Sequence, residues 1–60
     1  MIQHEMVRVK ITLIEWRGGT RIVTEWFEAV TPSEEKLLVD TMAMQFPLAD
    51  AVFVQRVEAQ

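Results

Sequence analysis

Sixty residues with a formal charge of −3 and no cysteine set narrow limits on this chain. They fit one domain (residues 1–60), and a domain of this size buries only about 60% of the surface its unfolded chain exposes, with no disulfide or thiolate-held metal to add stability. Small domains of that kind lean on association, and an acidic balance disfavours non-specific binding to nucleic-acid phosphates.

The charge is unevenly placed. Arg8, Lys10, Arg17 and Arg21 offset Glu5, Glu15, Glu25 and Glu28 in the first half, whereas Lys36 and Arg56 face Glu34, Glu35, Asp40, Asp50 and Glu58 in the second. The opening Met1-Ile2-Gln3-His4-Glu5 lacks the basic start and apolar stretch of a signal peptide, and no run is long enough to cross a bilayer, so a cytoplasmic location is expected. Residues 1–5 are expected to fray.

Val7, Val9, Ile11 and Leu13 alternate with Arg8, Lys10 and Thr12, which predicts a half-buried strand over 6–16. Arg17-Gly18-Gly19 follows as a turn, and Thr20 to Val30 predicts a second strand, over 20–30. Two hairpin registers are open, a two-residue Gly18-Gly19 loop or a three-residue loop that includes Arg17. The longer loop gives the better cross-strand pairs: Arg8 with Glu28, Lys10 with Trp26, Thr12 with Thr24, Ile14 with Ile22 and Glu15 with Arg21. It places Val7, Val9, Ile11, Leu13, Val23, Phe27 and Ala29 on the core face, together with Glu25 opposite Ile11, a carboxylate that must either reach solvent at a sheet edge or mark a wrong register. Ile14, Trp16, Ile22 and Trp26 then fall on the opposite face, beside Lys10.

Thr31-Pro32-Ser33-Glu34 carries a threonine cap, a proline at the first helical position and a glutamate that closes a capping box. The helix is predicted over 32–46, ending before Pro47, with Leu38, Val39, Met42, Ala43 and Phe46 as its packing stripe and Leu37 and Met44 nearly opposite. Ala51-Val52-Phe53-Val54 opens a third strand, over 51–58. The β-β-α-β order predicts an α+β fold: a three-stranded antiparallel sheet of order 2-1-3 with one helix on one face. Nothing else in the chain is left to cover the other face.

Catalytic, cofactor and metal sites are not expected. His4 is the only histidine and Ser33, the only serine, belongs to a helix start, so no acid–base–nucleophile set or ligand cluster can be assembled. Gly18-Gly19 precedes a strand and not a helix, unlike a phosphate loop. The informative group is the apolar set Ile14, Trp16, Ile22 and Trp26 with Lys10, because two water-exposed tryptophans suit a protein contact. Glu34, Glu35 and Asp40 form a candidate acidic contact, although carboxylates near a helix start are favourable on their own. Trp16 and Trp26 beside Arg8 and Lys10 also fit a single-strand stacking platform, which the overall acidity opposes.

From the second strand onward, Phe27-Glu28-Ala29-Val30-Thr31, Ser33-Glu34-Glu35, Phe46-Pro47, Ala49 and Val54-Gln55-Arg56-Val57 follow a layout common in small phage-encoded proteins. The layout resembles the host RNA polymerase inhibitors of T7-like phages, short domains with a single helix on a three-stranded antiparallel sheet. The resemblance implies a class: a small phage or mobile-element protein that occludes a larger host machine. It carries over no binding residue. The expectation is therefore a non-enzymatic protein-binding module that self-associates as a homodimer through its bare sheet face or a strand edge such as Val52-Phe53-Val54. A single-strand nucleic-acid protein and an antitoxin-like inhibitor of one enzyme are the alternatives.

Overall fold

The computed structural model describes residues 5–57; the expectations for residues 1–4, His4 included, and for the last residue of the third strand lie outside them. Four elements follow in the order β1 (Val7–Arg17), β2 (Thr20–Val30), α1 (Pro32–Gln45) and β3 (Ala51–Arg56). The three strands form one antiparallel sheet of order β2-β1-β3, with the helix on one face.

The hairpin uses the shorter of the two loops. Arg17 pairs with Thr20 and Val7 with Val30, so Gly18 and Gly19 alone make the turn. Their φ values of 57° and 82° are both positive, as a type I′ turn requires and as two glycines supply without steric cost. The three-residue loop is thus corrected, and every pairing in β2 moves by one residue. Because side chains alternate along a strand, that slip turns each β2 residue to the other face. Val23, Phe27 and Ala29 leave the expected core, and Ile22 and Trp26 join the helix side. Glu25 gains its missing explanation: it lies across from Thr12 on the open face, accepts a 3.5 Å hydrogen bond from the Thr12 hydroxyl and sits 3.5 Å from Lys10 Nζ.

Capping begins the helix as expected. Glu34 N donates to Thr31 Oγ1 at 3.1 Å, Thr31 N donates to Glu34 Oε1 at 2.8 Å, and Pro32 fills the first turn where no amide partner is needed. The helix ends at Gln45, one residue short of the predicted limit, with Phe46 N closing onto the Met42 carbonyl at 2.8 Å. Its packing stripe is narrower than the sequence suggests. Leu38 and Met42 are buried, whereas Val39 and Ala43 remain exposed. The core consists of Val9, Ile11, Val30, Leu38 and Met42, flanked by Val7, Trp26, Val52 and Val54. Burying an aliphatic side chain of this size contributes roughly 1.5–3 kcal/mol, so Val9 and Ile11, both fully buried in the central strand, anchor the two layers.

Asp50 locks the start of β3. Its backbone N–H donates to the Ile14 carbonyl at 2.8 Å, and its carboxylate accepts from Trp16 N at 2.8 Å. The far end is held by Val57 N on the Arg8 carbonyl at 2.9 Å. No helix among the described residues is long and apolar enough to cross a membrane.

Candidate interaction face

The open face of the sheet can be built row by row from the two registers. Side chains of Arg8, Lys10, Thr12, Ile14 and Trp16 point away from the helix, because their odd-numbered neighbours Val9, Ile11 and Leu13 are buried beneath it. Their β2 partners are Ala29, Phe27, Glu25, Val23 and Arg21, in that order. Gln55, Phe53 and Ala51 of β3 stand opposite Lys10, Thr12 and Ile14. The hairpin end of this face is apolar. Val23, Ile14 and Ala51 form one row, with Trp16 beyond it and Phe53 in the next row. Trp16 is 59% exposed and Phe53 55%, values more typical of a contact surface than of a finished exterior.

The other end is cationic. Phe27 stands across from Lys10 with the Arg8 guanidinium 5.0 Å from its ring centroid, a cation–π contact at an exposed site. Arg8, Lys10 and Arg21 outnumber Glu25, so this face opposes the acidity of the chain as a whole.

Of the residues singled out from sequence, Ile14, Trp16 and Lys10 lie on this face, and Ile22 and Trp26 do not. Trp26 is half-buried on the helix side, its ring tilted 58° against Phe46 at a centroid distance of 6.0 Å. Its indole N–H donates to Glu28 Oε2 at 2.6 Å, which satisfies the polar edge of the ring. Ile22 lies at the far end of the same side, 38% exposed, beyond the reach of the helix. Val23 and Phe27, expected in the core, also lie on this face, as does Phe53, which the sequence offered only as part of a strand edge. The signal that places Val23 and Phe27 there is the Gly-Gly turn, whose chemistry selects a two-residue loop and with it the parity of β2, whereas Phe53 reaches the face through the β1–β3 register.

The acidic group divides. Glu34 is spent on the capping box, and Asp40 stands exposed on the outer helix surface. Glu35 takes both ends of the Arg56 guanidinium, Nη2 to Oε1 at 2.5 Å and Nε to Oε2 at 3.1 Å, which ties α1 to β3. The hydrogen bonds from Arg56 hold the Glu35 carboxyl below its ordinary value of 4.5, with partial desolvation opposing and the guanidinium charge assisting. A groove of about 270 Å³ runs between α1 and the end of β2, lined by Val30, Leu37, Leu38 and Met42 with Glu28 and Glu34 at its rim. Among the described residues no three His, Cys, Asp or Glu side chains gather closely enough to hold a metal ion. No protein-family model, curated protein or solved structure matches the chain.

Proposed function

We propose that this chain is a small non-enzymatic protein-binding module whose open sheet face docks on a partner with an apolar centre and an acidic rim. The observation that carries the reading is the joined patch of Trp16, Val23, Ile14, Ala51 and Phe53 on a sheet layer that no other element among the described residues covers. Large rings seated in a partner's pockets supply most of the affinity in such contacts, and Arg8, Lys10 and Arg21 at the margin steer an acidic surface onto it. Occlusion of a host machine, the class implied by the resemblance to phage polymerase inhibitors, is one use of such a face.

One observation favours a second reading, a single-strand nucleic-acid surface. The corrected register removes Glu28 from the open face and leaves Trp16, Phe27 and Phe53 there among three cations. Spacing weighs against it. From strand geometry, Phe53 lies about 12 Å from Phe27 and about 14 Å from Trp16 along the backbone, several times the roughly 3.4 Å between stacked nucleotides. Ile14 and Ala51 separate Phe53 from Trp16, and Lys10 and Thr12 separate it from Phe27, so no two of these rings form the adjacent platform that successive stacked bases need.

Immobilised chain is expected to retain a protein from a lysate of the cell that makes it. The Trp16→Ser, Phe53→Ser double variant, folded by circular dichroism, is expected to retain it at least tenfold more weakly. Equal retention by both chains, or retention of nothing by the wild type, ends the protein-contact reading. Tight binding to single-stranded oligonucleotides, with affinity falling steeply as salt rises, selects the second reading instead.

A further inference from the structure

The free edge of β2 is a pairing surface in its own right, distinct from the open face. The Arg8 and Ile14 carbonyls accept from the β3 side, so even-numbered residues of β1 direct their backbone groups toward β3 and odd-numbered ones toward β2. The odd residues of β1 pair with even residues of β2, which leaves the N–H and C=O groups of Arg21, Val23, Glu25, Phe27 and Ala29 directed away from the sheet. β2 runs for 11 residues, Thr20 to Val30, without a proline or a positive φ, and all its residues from Thr20 to Glu25 are exposed. Natural sheets blunt edges of this length, and this one carries none of the usual devices beyond its charges.

We propose that β2 pairs antiparallel with β2 of a second copy of this chain, centred on Val23, to give a six-stranded sheet. Antiparallel pairing about a two-fold axis keeps each face continuous, so residues directly opposite must share parity. Among such registers, centring on Glu25 sets two carboxylates face to face. Centring on Thr24 places Arg21 over a Phe27 ring that Arg8 already occupies, and sets Glu25 against Val23. Centring on Val23 sets Arg21 against Glu25 twice, Val23 against its symmetry mate, and Ile22 against Thr24. Among the described residues Arg21 makes no ion pair, and the one ion pair of Glu25 is the 3.5 Å contact with Lys10, beside the long hydrogen bond from Thr12, so this register gives both charges a closer partner. The strands overlap from Thr20 to Trp26, the stretch of the hairpin farthest from α1. The overlap is short, which places the dimer at the weak end of specific interfaces. The inference does not rest on the open face binding a partner, and in the dimer the two open faces become one.

Sedimentation equilibrium is expected to move the wild-type mass from 7.0 kDa toward twice that value as concentration rises to about 1 mM. Val23→Pro removes an outward N–H without touching the β1 ladder, and is expected to keep the monomer fold while abolishing the shift. Arg21→Glu and Glu25→Arg are each expected to weaken the dimer at least tenfold. An equimolar mixture of those two variants is expected to recover it, because each opposed pair then joins opposite charges. A wild-type mass that stays at 7.0 kDa throughout overturns the proposal. So does a dimer that the two charge variants leave unchanged, that their mixture fails to restore, or that is lost only in the Trp16→Ser, Phe53→Ser chain, since that outcome assigns the contact to the face. Failure here leaves the docking of a different protein on the open face untouched, and success does not require it.

Discussion

Two glycines decide which side chains this molecule shows to solvent. Gly18 and Gly19 both occupy the left-handed region, and a Cβ built at either meets nothing within 4 Å, so the demand is conformational and not steric. An ordinary L-residue pays roughly 1–2 kcal/mol there, whereas asparagine tolerates the first position of a type I′ turn. Gly19→Ala is therefore expected to lower the stability by about 1 kcal/mol in urea unfolding, and Gly18→Asn to stay within about 0.5 kcal/mol of wild type. Equal stability of Gly19→Ala and wild type would mean that the turn relaxes and the register is held by side chains alone. The same residues mark the limit of what the sequence disclosed. Cross-strand pairs worth about 0.2–1 kcal/mol each favour the three-residue loop when they are counted, and they are outweighed by a turn whose positive φ values two glycines adopt without steric strain. Glu25, stranded on the core face in that register, was the warning.

At the scale of elements, the legible parts were those with strong local chemistry. Thr31, Pro32 and Glu34 mark the helix start to the residue, and the order of the strands follows from the connections. The width of the helix contact was not legible, because Val39 and Ala43 have the spacing of the packing stripe and yet stand exposed once the helix has docked. Equally invisible was the Glu35–Arg56 pair, since the two residues are 21 positions apart and meet only once α1 lies along β3. That pair gives the helix docking a dependence on pH. The carboxyl of Glu35 is held below its ordinary value of 4.5 in the folded chain. A depressed carboxyl contributes stability that is fully present above the unfolded value and is lost as pH falls through the folded one. Wild type is expected to exceed Glu35→Gln in thermal midpoint at about pH 7, and the gap is expected to narrow as the pH falls below the ordinary carboxyl value of 4.5. A gap of the same size at both ends would show that the guanidinium recognises the shape of the side chain and not its charge. The effect is modest, because both groups stand in contact with water and salt screens them.

The whole molecule is thin and long. Its radius of gyration is 13.4 Å, against about 10 Å for a compact chain of this length, because a hairpin of two 11-residue strands projects past the helix that covers its base. Among the described residues only Val9, Ile11, Leu13, Val30, Leu38 and Met42 are buried. At about 0.05–0.15 kcal/mol per residue the total stability of such a chain is roughly 3–9 kcal/mol. Ile11 is fully buried at the centre of the middle strand, and its truncation to alanine costs about 2–5 kcal/mol. Ile11→Ala is expected to lose most of its cooperative thermal transition. Phe53→Ala removes a larger side chain, yet that ring stands 55% exposed on the open face, and the change is expected to cost no more than about 0.5 kcal/mol. Residue size alone predicts the reverse order, so the pair of variants reads directly which layer is finished. A Phe53→Ala chain as damaged as Ile11→Ala at every protein concentration would mean that the open face is covered within the monomer. A loss that appears only at high concentration would instead place a second copy on that face, against pairing through β2.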